Sequence, residues 1–282
     1  MTARGRFVAR LVTILIALAG LVTVGALPAA AQPNSGPVPY VALGDSYAAG
    51  QGGGDYLNTC LESPNGYPYL LDARSRIDLR DNVACTGAKA SDLVTSSTQL
   101  SALNVDTELV TITVGAADLN LSEVLAACTA VPPTPVQCQA AIANAQALLG
   151  ALAVSLTNLY ALVADAAPNA LIVVTGYPYL FEPPAEGDPN AAIITAINNA
   201  ITALNATIQQ AVTLAQTADP DINIIYVDVT DEFAGHGIGS KQPFIHATGP
   251  DAYHPNAAGY RAYAKAIFTA IKSVWKDEKQ AA

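Results

Sequence analysis

Val41-Ala-Leu-Gly-Asp-Ser-Tyr-Ala-Ala-Gly50 decides how the rest of this chain is understood. The apolar run Tyr40 to Leu43 has the length and composition of a buried strand. Gly44 permits an abrupt change of backbone direction, and Ser46 falls where the strand gives way to a helix. A serine so placed lies in the field of a helix N-terminus. Its hydroxyl points out of the sheet edge and its amide is free to donate to a developing negative charge, as an acyl-transferring nucleophile requires. Taken alone, Gly44-Asp45-Ser46 reads more simply as an N-cap and turn, since Asp and Ser are favoured there for hydrogen bonding alone.

Upstream of this stretch the composition changes twice. Arg4, Arg6 and Arg10 form a basic start, Leu11 to Leu27 is apolar with Gly20 and Gly25 inside it, and Ala29-Ala30-Ala31 supplies small residues. That order is the pattern of an export signal, expected to span 1–31 with cleavage after Ala31. A retained membrane anchor is the competing reading, because the run is near the lower length for a spanning helix. No later stretch reads as long and apolar enough to span a bilayer. Residues 32–39, rich in Pro, Asn, Ser and Gly, form a linker, and 40–282 is expected to be one domain. Losing three arginines and no acids takes the formal charge from −10 to −13. Nucleic acid and anionic membrane surfaces are therefore poor candidate partners.

Downstream, strands alternate with helices. Asn82 to Ala84 is a candidate second strand, Glu108 to Val114 a third, Leu171 to Val174 a fourth and Ile222 to Val227 a fifth. Between them, Tyr67-Pro68 opens a short helix through Ala73, and Ser91 and Asp92 suit another helical turn. Gln139 to Ala166 and Asn190 to Thr217 are long, Ala-rich helical patterns. A last helix is expected after His254-Pro255, with proline at its first position, running to Lys276. Around Pro132 to Pro135 the chain must leave helix. Strands followed by helices five times over argue a mainly parallel five-stranded sheet covered on both faces, a three-layer α/β/α sandwich. Ligands on such sheets bind beyond the carboxyl ends of the strands. Ser46, Gly87, Gly115, Tyr177 and His254 all fall on that edge.

Cys60, Cys85, Cys128 and Cys138 are even in number in a chain expected to be exported, which favours two disulfides. Of three connectivities, Cys60–Cys85 with Cys128–Cys138 is expected, because each closes a short loop around irregular sequence. Zinc is disfavoured, since no CxxC spacing is present and the histidines are not interleaved with the cysteines.

Asp251-Ala-Tyr-His254-Pro255 carries the other half of the chemistry. One turn is expected to bring the Asp251 carboxylate to Nδ1 of His254 and leave Nε2 facing Ser46. As an isolated motif, AspxxHis is more often a structural cap. His236 and His246, in Gly-rich sequence, read as surface or loop-bracing residues.

These motifs together resemble the secreted GDSL, or SGNH, hydrolases, and specifically their exported actinobacterial lipases and esterases. The first family block resembles Gly44-Asp45-Ser46-Tyr47 with Gly50, the second Ala84-Cys85-Thr86-Gly87-Ala88, and the fifth Asp251 to Pro255. Cys60-Leu-Glu-Ser-Pro-Asn-Gly-Tyr-Pro68 is also similar to that subgroup. The resemblance spans Tyr40 to about Val274. It implies a flavodoxin-like fold, Ser46 as nucleophile, His254 as general base and acid, Asp251 as its orienting partner, and the Ser46 and Gly87 amides as an oxyanion hole. No cofactor or metal is implied, and the expected substrate is a small-molecule or lipid ester, acted on outside the cell by a monomer with no stable membrane insertion.

One block departs from the pattern. Where the family carries Gly-x-Asn-Asp, this chain reads Gly115-Ala116-Ala117-Asp118, and a methyl group cannot donate a hydrogen bond. Loss of one oxyanion donor costs about 10²–10³ in turnover. Two further readings stay open: acyl transfer to an alcohol by the same residues, and a catalytically weakened binding protein. Tyr177, Tyr179 and Phe181, following a strand at the reactive edge, are candidate walls for an apolar group, with core packing as the alternative.

Overall fold

A computed structural model of the chain describes residues 36–74, 76–95, 99–130 and 134–281. The expected export signal at 1–31 lies outside the described residues, as do Pro132 and Pro133. Five strands form the sheet: β1 (Val38–Gly44), β2 (Ile77–Asn82), β3 (Leu109–Thr113), β4 (Leu171–Thr175) and β5 (Ile224–Val227). Their order is β2-β1-β3-β4-β5 and every pairing is parallel. The helices are α1 (Ser46–Ala49), α2 (Tyr67–Asp72), α3 (Ala90–Thr95), α4 (Leu121–Cys128), α5 (Pro135–Ala166), α6 (Ala191–Ala218), α7 (Thr230–Phe233) and α8 (Ala257–Ala281). α2 and α7 pack against α8, while α3, α4 and α6 gather around α5, giving a layer on each face of the sheet.

The second strand is Ile77–Asn82 rather than 82–84. Asp78, Arg80 and Asp81 interrupt its apolar pattern because β2 is an edge strand, with charges on its solvent side. The expected stretch still follows β1: Val83 N–H donates to the Ala42 carbonyl at 3.1 Å and Cys85 N–H to Gly44 at 3.0 Å. The last helix begins at Ala257, not at Pro255. Asn256 caps it, its Oδ1 accepting from the amides of Ala258 (2.9 Å) and Gly259 (3.1 Å). α5 starts four residues earlier than expected, with Pro135 in its first turn.

By length and composition alone, α5 and α6 could each cross a membrane, contrary to the sequence expectation. Here they pack on one another and on the sheet. Leu152, Leu156, Leu159 and Val163 of α5, and Ile197, Ile201, Leu204 and Ile208 of α6, are fully buried at helical spacing, as core helices require.

The core between the sheet and α8 is partly polar and satisfied. Thr113 Oγ1 bonds Tyr67 OH at 2.9 Å and Thr175 Oγ1 at 2.6 Å, and Thr175 bonds Tyr263 OH at 3.1 Å. The Tyr67 and Tyr263 rings stack with centroids 5.1 Å apart. Hydroxyls paired this way avoid the penalty of unsatisfied burial while fixing which residues face each other.

Candidate active site

Strand β1 ends at Gly44, whose φ of +137° leaves an added Cβ only 2.1 Å from the Thr113 carbonyl oxygen. Only glycine fits there. The buried Gln99 carboxamide fixes the bend from the side, accepting from Gly44 N–H at 2.8 Å and donating to its carbonyl at 3.0 Å. Asp45 then caps α1, its Oδ1 accepting from Tyr47 N–H at 3.0 Å. The other oxygen accepts from Tyr177 OH at 2.5 Å, and that hydroxyl in turn accepts from Ala116 N–H at 3.3 Å. Burial pushes the Asp45 carboxyl up to about 7, its hydrogen bonds only partly offsetting the loss of water.

Ser46, the first residue of α1, points its Oγ at Nε2 of His254, 2.8 Å away. The two come from opposite ends of the sequence, 208 residues apart. On the other side of the imidazole, Nδ1 meets the Ala252 carbonyl oxygen at 3.1 Å. A carbonyl can only accept, so Nδ1 carries the proton and Nε2 is left as acceptor for the Ser46 hydroxyl. Burial lowers the His254 pKa, opposed by the Ala252 carbonyl and the Asp251 charge. The ring is therefore neutral, as a base must be, to lower pH than an exposed histidine.

Asp251 was expected against Nδ1, and the structure places its carboxylate elsewhere. Oδ1 accepts from Tyr56 OH at 2.5 Å, and the Tyr56 hydroxyl accepts from Gly52 N–H at 2.8 Å. The reason is local: His254 N–H closes a turn on the Asp251 carbonyl at 3.1 Å, and Tyr253 adopts φ +68°. That turn folds the imidazole back onto the residue two before it, while Asp251 faces the glycine-rich loop. The same loop is pinned by His246, whose Nε2 lies 2.9 Å from the Gly52 carbonyl oxygen. His236 stacks on Phe244 with centroids 3.7 Å apart. Both histidines brace loops.

Ser46 and His254 open into a cavity of about 430 Å³. Gly87 and Ala117 also line it. The amides of Ser46 and Gly87 have no acceptor among the described residues. Ala117 has no side-chain donor to offer. Gln51 and Thr86 form the polar wall, with Thr86 Oγ1 donating to Gln51 Oε1 at 2.6 Å. Leu121, Leu125 and Ala126 of α4, with Leu180, form the apolar one.

The three aromatics expected as walls lie elsewhere. Tyr177 is buried and holds Asp45; Tyr179 is exposed, its hydroxyl 3.2 Å from Thr202 Oγ1; Phe181 packs beside Tyr253. Leu180, of the opposite parity in the run after β4, faces the cavity instead. Sequence reading also missed α4, although Leu121 and Leu125 at i, i+4 before Cys128 are its signal. Both expected disulfides are present, Cys60–Cys85 and Cys128–Cys138. The first holds the loop after the glycines to the Gly87 segment, and the second holds the end of α4 to the start of α5.

The parallel five-stranded α/β sandwich pairs a serine with a histidine at its carboxyl edge, and residues 42–262 match the GDSL-like Lipase/Acylhydrolase family. The chain belongs to that family and is a carboxylic ester hydrolase of the lipase and esterase kind. It is 34% identical to Lipase 1 of Streptomyces coelicolor over 268 residues, 91% of this chain and 94% of the relative. Among solved structures it resembles the extracellular lipase of Streptomyces rimosus, with a TM-score of 0.72 and 32% identity over 82% of this chain and 99% of that one. Phospholipase A1 of Streptomyces albidoflavus gives a TM-score of 0.74 and 33% identity, covering 83% and 99%.

Proposed function

We propose that this protein is exported and hydrolyses carboxylic esters with apolar acyl groups through an acyl-enzyme on Ser46. The observation that carries this reading is the 2.8 Å contact between Ser46 Oγ and His254 Nε2 at the mouth of a largely apolar cavity. As Ser46 Oγ attacks the ester carbonyl, its proton passes to Nε2. The carbonyl oxygen, now negative, is met by the amides of Ser46 and Gly87. His254 then gives the proton to the departing alkoxide, leaving the acyl group on Ser46. Water, deprotonated by Nε2, attacks this ester, and the carboxylic acid leaves with Ser46 reprotonated.

The third member of the machinery in this reading is the Ala252 carbonyl, which fixes the tautomer without a charge. The acyl chain lies along α4, and the alcohol portion along Gln51 and Thr86. Export is supported by the basic, apolar and small-residue order of 1–31 and by two disulfides. The test is Ser46→Ala against wild type on p-nitrophenyl butyrate, with fluorophosphonate labelling of the intact protein. Loss of both turnover and label is expected; an unchanged rate removes the assignment.

A further inference from the structure

The residues on either side of Ser46 are each tied to another part of the site. Asp45 reaches the Ala116 amide through Tyr177. Tyr47 reaches the histidine turn, its hydroxyl donating to the Tyr253 carbonyl at 2.6 Å across 206 residues of chain.

Tyr253 is held in the left-handed region at φ +68°, a conformation that is unfavourable for a residue with a side chain. Within the turn His254 N–H bonds the Asp251 carbonyl at 3.1 Å, and from outside it Tyr253 N–H bonds the His246 carbonyl at 2.7 Å, Tyr253 OH bonds Thr129 Oγ1 at 3.0 Å and His246 N–H bonds the His254 carbonyl at 2.9 Å. The left-handed residue lies between Ala252 and His254, so its conformation sets the angle at which the Ala252 carbonyl meets Nδ1. A carboxylate on a side chain can follow a moving imidazole. A main-chain carbonyl cannot, and its aim is only as good as the turn that carries it.

We propose that Tyr47 is a positioning residue for the hydrolysis: by holding the Tyr253 carbonyl it locks the left-handed turn and so aims the Ala252 carbonyl at His254. This rests on the serine hydrolase reading given above. Tyr47 suits the role because the same short helix turn carries the nucleophile, so one side chain fixes the histidine turn relative to Ser46. The ring is packed edge-on against Tyr177 with centroids 5.0 Å apart and tilted against His254 at 5.3 Å. Burial pushes its hydroxyl well above the ordinary tyrosine range, keeping it a neutral donor throughout the working pH.

Tyr47→Phe removes only the donor and keeps both ring contacts. On p-nitrophenyl butyrate it is expected to lower kcat about tenfold, the worth of one aligned hydrogen bond, with KM changed less than twofold. The pH–rate profile supplies a readout that loss of stability alone would not move. The Ala252 carbonyl favours protonated His254, so loosening it shifts the acid limb of kcat to lower pH. Independently of turnover, the downfield proton resonance of His254 Nδ1 is expected to move upfield or broaden in the variant. Unchanged kcat, acid limb and Nδ1 resonance in a folded Tyr47→Phe protein would overturn the inference. Ser46→Ala, measured alongside, separates the two claims. If Ser46→Ala is inactive while Tyr47→Phe behaves as wild type, the role of Tyr47 fails and the esterase reading stands; activity in Ser46→Ala removes both.

Discussion

Replacing Asp251 by asparagine separates two descriptions of how His254 is held. In a Ser-His-Asp arrangement the carboxylate receives the Nδ1 proton, and its conversion to an amide lowers kcat about 10⁴-fold by favouring the wrong tautomer. Here the Nδ1 partner is the Ala252 carbonyl at 3.1 Å, and the Asp251 carboxylate is taken up by Tyr56. The asparagine keeps an oxygen for Tyr56 to donate to, so what is lost is one charge at a partly exposed position. The charge-assisted part of such a bond is worth about 1 kcal/mol, which caps the fall in kcat near fivefold.

The direction of the pH effect follows from the same geometry. Burial lowers the His254 pKa and the Asp251 charge raises it. Removing that charge leaves burial less opposed, so the acid limb of kcat shifts to lower pH in Asp251→Asn, never to higher. The assay is initial-rate hydrolysis of p-nitrophenyl butyrate across pH 4 to 9, with kcat and KM resolved at each pH. A loss of 10³ or more at the optimum, or an acid limb displaced upward, would refute the assignment of Ala252 as the orienting group.

Three further outcomes are expected. Ala117→Asn adds a side-chain donor beside Ser46 and Gly87 and should raise kcat on short-chain esters at least tenfold, toward the factor of about 10²–10³ that one oxyanion donor contributes; no change means that the position does not face the oxyanion. Asp45→Asn should flatten the dependence of the thermal midpoint on pH. With its folded pKa raised from 3.8 to about 7, Asp45 contributes stability that is full below about pH 4 and lost as pH rises through 7, so a variant with the wild-type slope contradicts the buried carboxyl. Replacing Cys128 and Cys138 together by serine opens a loop of sequence separation 10 and should cost roughly 2–3 kcal/mol in denaturant unfolding. Because that bridge holds α4, KM for longer acyl esters should rise more than kcat falls.

The parallel sheet and its reactive edge were legible from periodicity, because β1 and β4 read as apolar runs and β3 as Val110, Ile112 and Val114 alternating with threonines. β2 was displaced by five residues at its start because an edge strand carries charge where a central one carries valine. The nucleophile and its base were legible for a different reason: both sit at punctuation points, a glycine bend and a turn before a helix, where spacing constrains position.

Side-chain direction is set by quantities that spacing does not encode. Asp251 and His254 are three residues apart, which guarantees that their backbones meet and leaves open where each side chain goes. One dihedral at Tyr253 decided it, placing a carbonyl where a carboxylate was expected. The substrate wall failed for a related reason, since Tyr177, Tyr179 and Phe181 share a parity opposite to that of Leu180, and the parity of an irregular run is fixed only by what it packs against. What fixes these directions is long-range: Tyr47 with Tyr253, Asp45 with Tyr177, Tyr56 with Asp251, each joining segments more than 100 residues apart. In all three a tyrosine hydroxyl spans the gap, the rigid ring carrying a polar end across an apolar interior with little rotamer freedom to lose. With backbone and phenol groups fixing this site, the basicity of His254 is governed chiefly by its burial, which the Ala252 carbonyl and the Asp251 charge oppose and His246 reinforces.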